Sequence, residues 1–101
     1  MMTPPIRPEI FALCTHSEAD MERLTLRQLV DWFKSVMHSG MVMTDLEINY
    51  VDKYWMALVQ TQARQEGVPV GWLSYSLSQL AQAEKRLMDT ATRETAEAIN
   101  V

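Results

Sequence analysis

Apolar residues along this chain recur at the three- and four-residue spacing of helices, and no stretch alternates with the period of two that marks a strand. The longest continuous pattern covers residues 44–67. A Thr44-x-x-Glu47 capping box opens it and Gly67 closes it, which predicts one helix over about 45–66. At 1.5 Å per residue that helix is roughly 33 Å long, about the width of a domain of this size. Stepping its residues by 100° puts Ile48, Tyr50, Val51, Tyr54, Trp55, Ala57, Leu58 and Val59 on an apolar arc of about 200°. An arc that wide needs cover from two sides. The polar stripe left over is narrow: Asp45, Asn49, Asp52, Lys53, Gln60 and Arg64, with Met56 in its middle.

A second helix is predicted over about 25–39. Thr25-x-x-Gln28 is a capping box, and Gly40 stands at the usual stop. Leu26, Leu29, Val30, Phe33, Val36 and Met37 share one side, with Trp32 at its edge. The connection to the central helix is short, which predicts an antiparallel hairpin with Met41, Val42 and Met43 tucked beneath it. After a turn punctuated by Gly67, Pro69 and Gly71, a third helix runs over about 72–91. Its apolar stripe reads as Leu73, Leu77, Leu80, Ala83, Leu87 and Ala91. Residues 92–101 are rich in Ala and Glu and can continue the helix, but they have few anchors and are expected to fray.

Upstream, Pro4, Pro5 and Pro8 predict an extended arm over 1–8. A turn of helix near 9–14 and a short helix from a Thr15-x-x-Glu18 box to about Arg23 follow it. The fold class is therefore all-α: a single helical domain over 1–101 with three main helices, a helical hairpin plus a long C-terminal helix. The first and third helices of one chain could supply both covers of the central one. The thin leucine stripe and weakly anchored tail favour a homodimer instead.

Composition agrees with one small globular domain: 101 residues, 48% apolar and 22% charged. The net charge of −4 is spread evenly, with −1 over 1–43, −2 over 44–67 and −1 over 68–101. No basic patch emerges, which argues against nucleic-acid backbones or anionic lipid as the main partner. A single cysteine rules out an internal disulfide and fits a reducing compartment. The longest apolar run, 54–59, is far short of a membrane span, and the proline-rich start lacks a hydrophobic signal core, so a cytoplasmic protein is expected.

Candidate chemistry is sparse. Cys14 and His16 stand two residues apart, which on a helix points them about 200° from each other, and no third orienting group is nearby. The chain has three Cys and His residues in total, too few for a structural zinc site. Asp45, Glu47 and Asp52 are explained by favourable charge near a helix N-terminus. No enzymatic activity, metal or cofactor is expected. Residues 63–80 are compatible with a helix-turn-helix, since Ala63 precedes Gly67 by four and Leu73 follows it by six. Its reader helix would offer Ser74, Tyr75, Ser76, Ser78 and Gln79 to base edges, yet it has no basic residue before Lys85. Glu66 also stands where an apolar residue would help the two helices pack.

Protein binding has more support. Trp and Tyr dominate binding hot spots, and Trp32, Trp55, Trp72, Tyr50, Tyr54 and Tyr75 are spread over all three helices. Trp55 and Tyr54 lie within the apolar arc and read as core. Trp72 and Tyr75 lie off the leucine stripe beside a turn, and Met56 interrupts a polar stripe. These three are the expected protein-binding residues. Eight methionines add adaptable apolar surface, although most are explained as core filler.

A short, acidic, single-domain chain, helical over about residues 25–91 and without catalytic groups, resembles the small anti-activators of bacterial quorum sensing. The resemblance lies in length, charge and helical layout; it carries no residue roles. It implies a protein that binds a LuxR-type transcription activator and blocks its dimerisation or DNA binding. Phage-encoded inhibitors and toxin-immunity proteins share this outline.

Overall fold

The computed structural model describes the backbone of residues 5–99 and side chains through residue 94. Five helices follow one another: α1 (Pro8–Phe11), α2 (Glu18–Arg23), α3 (Leu26–His38), α4 (Asp45–Glu66) and α5 (Val70–Ile99). Among the described residues there is no strand, and no helix is long and apolar enough to cross a membrane. The chain is all-α, built on α3, α4 and α5. Residues 1–4 of the expected arm and 100–101 of the expected tail lie outside the described residues.

Local signals set most helix ends. Thr25 Oγ1 accepts from the Gln28 amide at 3.1 Å while Gln28 Oε1 accepts from the Thr25 amide at 2.8 Å, so two orphan donors are satisfied reciprocally. Thr44 and Glu47 repeat the arrangement at the head of α4. Gly40 (φ +64°) and Gly67 (φ +69°) follow α3 and α4 in the left-handed region that favours glycine. At α2 the cap is Ser17, not the expected Thr15, and its hydroxyl accepts from the Asp20 amide at 3.2 Å. The chain before Ser17 is held by tertiary partners instead. The Leu13 carbonyl accepts from Trp32 Nε1 at 2.7 Å, and the His16 amide donates to the Tyr54 hydroxyl at 3.0 Å.

One buried cluster unites Met21 of α2, Leu29 and Val30 of α3, Trp55, Leu58, Val59 and Ala63 of α4, and Leu73, Leu77 and Ala81 of α5. Each fully buried aliphatic side chain in it contributes about 1.5–3 kcal/mol. The central helix takes its covers from its own chain: α3 and α5 meet its apolar residues, and α2 is fastened to its last turns. There Gln62 donates to the Leu24 carbonyl, and Gln65 Nε2 donates to the Glu22 carbonyl at 2.8 Å. The wide arc is not buried throughout, since Ile48 stays exposed.

Two packing expectations are corrected. The short 39–43 connection does not make α3 and α4 close partners; α3 packs chiefly along α5. Glu84, beside the buried stripe of α5, gathers Arg27 Nη1 at 2.7 Å and Lys34 Nζ at 3.7 Å from α3. On α5 the buried stripe is Leu73, Leu77 and Ala81, while Leu80 and Leu87 of the expected stripe are exposed. Two apolar stripes run along this helix at helical spacing, and only one meets α3 and α4. The helix also continues past 91, to Ile99. The result is a thin molecule of 50 × 47 × 20 Å.

Candidate protein-docking surface

The rotational setting of α5 decides which of its residues reach solvent. Beyond Gly67 the chain turns through Val68 and Pro69, and the Leu73 amide donates to the Pro69 carbonyl at 3.1 Å. Leu73 is buried, and Ser74 is held against α4 by Trp55 Nε1, which donates to its hydroxyl at 3.3 Å. With those two residues turned inward, Trp72 and Tyr75 on either side of them are turned out. They are 60% and 66% exposed and sit one helical turn apart.

The exposed apolar surface continues down α5. Trp72, Ser76, Leu80, Ala83 and Leu87 fall on one line of the helix at spacings of three and four. Leu80 is 47% and Leu87 70% exposed, and the smaller Ser76 and Ala83 between them are half-buried. Tyr75, Gln79, Gln82 and Arg86 form a parallel row on one flank. Leu80 and Leu87 are functional candidates that sequence reasoning assigned to the core. Their helical spacing fits the buried stripe and the exposed one alike, so the sequence holds no signal that separates them.

Met56 behaves differently from the other two expected docking residues. It is half-buried and packs against the core cluster, so it does not share the exposure of Trp72 and Tyr75. Four other aromatics of α3 and α4 pack on one another. Trp32 and Trp55 stack with centroids 5.7 Å apart, Phe33 meets Trp55 edge-on at 5.0 Å, and Tyr54 leans on Trp32 at 5.3 Å. A second exposed apolar area surrounds the head of α4, where Leu46 and Phe11 reach solvent and Phe11 meets Tyr50 edge-on at 5.3 Å.

Sequence reasoning also missed the latch beneath that area. Glu47 is fully buried. Its Oε2 accepts from Arg7 Nε at 2.9 Å and from the Arg7 amide at 3.0 Å, and its Oε1 accepts from Arg7 Nη2 and the Thr44 amide, both at 3.0 Å. The Arg7 guanidinium first, then the two backbone amides, hold its carboxyl well below the usual range, at about 2. Besides closing the capping box at the head of α4, Glu47 ties residue 7 to residue 47, a link for which no local sequence signal exists.

Nucleophilic chemistry finds little here. Burial pushes the Cys14 thiol up to about 11, away from the reactive thiolate. His16 Nδ1 is engaged by the Tyr54 hydroxyl at 2.5 Å. Among the described residues no three His, Cys, Asp or Glu side chains converge as a metal site would require. The helix-turn-helix spacing is compatible with the packing at the α4–α5 turn, where Ala63 and Leu73 are both buried. Along α5 the first basic residue is Lys85, which is paired with Asp89 at 2.8 Å. No family model, curated protein or solved structure matches the chain.

Proposed function

We propose that this chain is a non-enzymatic regulatory protein that binds and inhibits a partner protein. It covers an apolar or dimerisation surface on that partner, a transcription activator of the quorum-sensing type being the class in view. The observation that carries the reading is the outward face of α5, where Trp72 and Tyr75 leave most of their large aromatic surface in water. Aromatic side chains of that size add about 150–250 Å² of contact each, at little cost in side-chain entropy. The net charge of −4 and the absence of a basic row on that face point to a protein partner rather than a nucleic acid. The chain acts without a cofactor in this reading, and it self-associates as a homodimer when no partner is present.

Capture from the native cell with tagged protein tests the proposal. Wild-type protein is expected to retain one stoichiometric partner. Trp72→Ala and Tyr75→Ala should each weaken that capture at least tenfold with the helical circular dichroism unchanged, as hot-spot truncations do. Met56→Asp, at the core margin, is expected to weaken capture as well, at some cost to stability. Normal capture by both aromatic variants would remove this face from the function. A salt series on duplex DNA separates the helix-turn-helix alternative: affinity that falls steeply with salt would favour DNA, and no binding at low salt would exclude it.

A further inference from the structure

We propose that a second copy of this chain covers the outward face of α5, with the two α5 helices antiparallel about a two-fold axis beside Leu80. This rests on reading that face as a protein-docking surface, and it specifies the occupant and the register. The stripe is self-complementary when reversed about its centre. Trp72 then faces Leu87 of the partner subunit, Ser76 faces Ala83 of the partner subunit, and Leu80 meets its own counterpart. Large side chains are thereby separated by a small pair that lets the helices approach. The flank is complementary in the same register: Tyr75 faces Arg86 of the partner subunit, a cation–π pairing, and Gln79 faces Gln82 of the partner subunit. A parallel pairing would leave Trp72 against itself and put Tyr75 out of reach of Arg86 of the partner subunit.

Shape and area support the same occupant. The stripe from Trp72 to Leu87 is roughly 22 Å long. Its apolar side chains and the Gln79, Gln82 and Arg86 flank amount to a contact on the order of 600–800 Å² per copy, at the lower edge of a stable interface. The radius of gyration of 16.2 Å exceeds the value of about 13 Å for a compact chain of this length. The molecule is only 20 Å thick, and a helix of 30 residues is longer than the helices beneath it. An isologous contact uses one surface twice and closes on itself. Because Trp72 and Tyr75 also serve the partner contact proposed above, partner capture exchanges one copy of the chain for the partner.

Single-cysteine variants in a Cys14→Ser background test the register, since facing positions of paired helices lie within disulfide reach. Under mild oxidation Leu80→Cys is expected to cross-link with itself. Trp72→Cys and Leu87→Cys are expected to cross-link only when mixed. Self-cross-linking of Trp72→Cys in preference to the mixed pair would mean a parallel contact and overturn the proposal. Sedimentation of the otherwise unaltered protein at about 100 μM should give twice the chain mass, and Leu80→Asp, at an exposed position, should halve it. A monomeric wild-type protein would overturn the dimer. If that monomer still captured a partner, the functional reading would stand alone; a dimer that captured nothing would do the reverse.

Discussion

Glu47 is a charged side chain with no exposed surface, and the four hydrogen bonds its carboxylate accepts explain how the fold accommodates it. Three of them come from Arg7 and one from the Thr44 amide, while the Glu47 amide separately donates to Thr44 Oγ1. An unpaired buried carboxylate would be costly, so Arg7→Ala should destabilise the protein more than Glu47→Gln does. The carboxyl titrates at about 2 in the folded chain, below its ordinary value. The folded state therefore binds fewer protons than the unfolded state between these two values. Its stabilisation is complete above the ordinary carboxylate range and is lost as pH falls toward about 2. Melting temperature followed from pH 6 to pH 2.5 should drop in the wild type and drop less steeply in Glu47→Gln. Some slope remains in that variant, because Arg27 likewise holds Asp31 and Glu84 low and Lys85 holds Asp89 low. An unchanged slope would mean the latch is not formed in solution.

Among the elements, α2 is the shortest one that contributes to the main buried cluster, with Met21 its buried residue. Six residues cannot sustain a helix alone, so its place depends on the Gln62 and Gln65 amides of α4. Gln62→Leu fills the same space but leaves the Leu24 carbonyl without its donor, which should cost about 1–3 kcal/mol in urea unfolding. Amide exchange over 18–23 should accelerate in Gln62→Leu before that of α4 does. Protection of those amides equal to wild type would show that Met21 alone anchors α2. Helix positions themselves were largely legible, because Thr25–Gln28, Thr44–Glu47, Gly40 and Gly67 are signals carried within a few residues. What lay between distant elements was not. The bond from Gln62 to Leu24 and that from Glu47 to Arg7 join residues far apart in sequence, and no local spacing encodes them. The two stripes of α5 show the same limit from the other side. Leu73–Leu77–Ala81 and Trp72–Leu80–Leu87 both obey the helical period, and which one is buried is set by contacts between elements, those of Ser74 with Trp55 and of Glu84 with Arg27 among them. Trp72 and Tyr75 could be singled out because they lay off the leucines and beside a turn; Leu80 and Leu87 could not.

At the scale of the molecule, a thickness of 20 Å leaves room for about two layers of helices, so little of α5 beyond its inner face is covered by its own chain. A monomer of this shape has to keep Trp72, Tyr75, Leu80 and Leu87 in water, whereas a dimer through α5 withdraws them twice over. Folding and association are then linked, since whatever binds the folded chain raises its apparent stability by mass action. The melting temperature of the wild-type protein should rise by a few degrees between about 1 and 100 μM, the range over which a micromolar dimer fills. Leu80→Asp removes the apolar contact at the two-fold axis without touching the Leu73–Leu77–Ala81 stripe. Its melting temperature should be independent of concentration and close to the wild-type value at the dilute end. A variant that melted lower at every concentration would place Leu80 in the core. A wild-type curve that stayed flat would return α5 to solvent and leave its aromatic face open to a different protein.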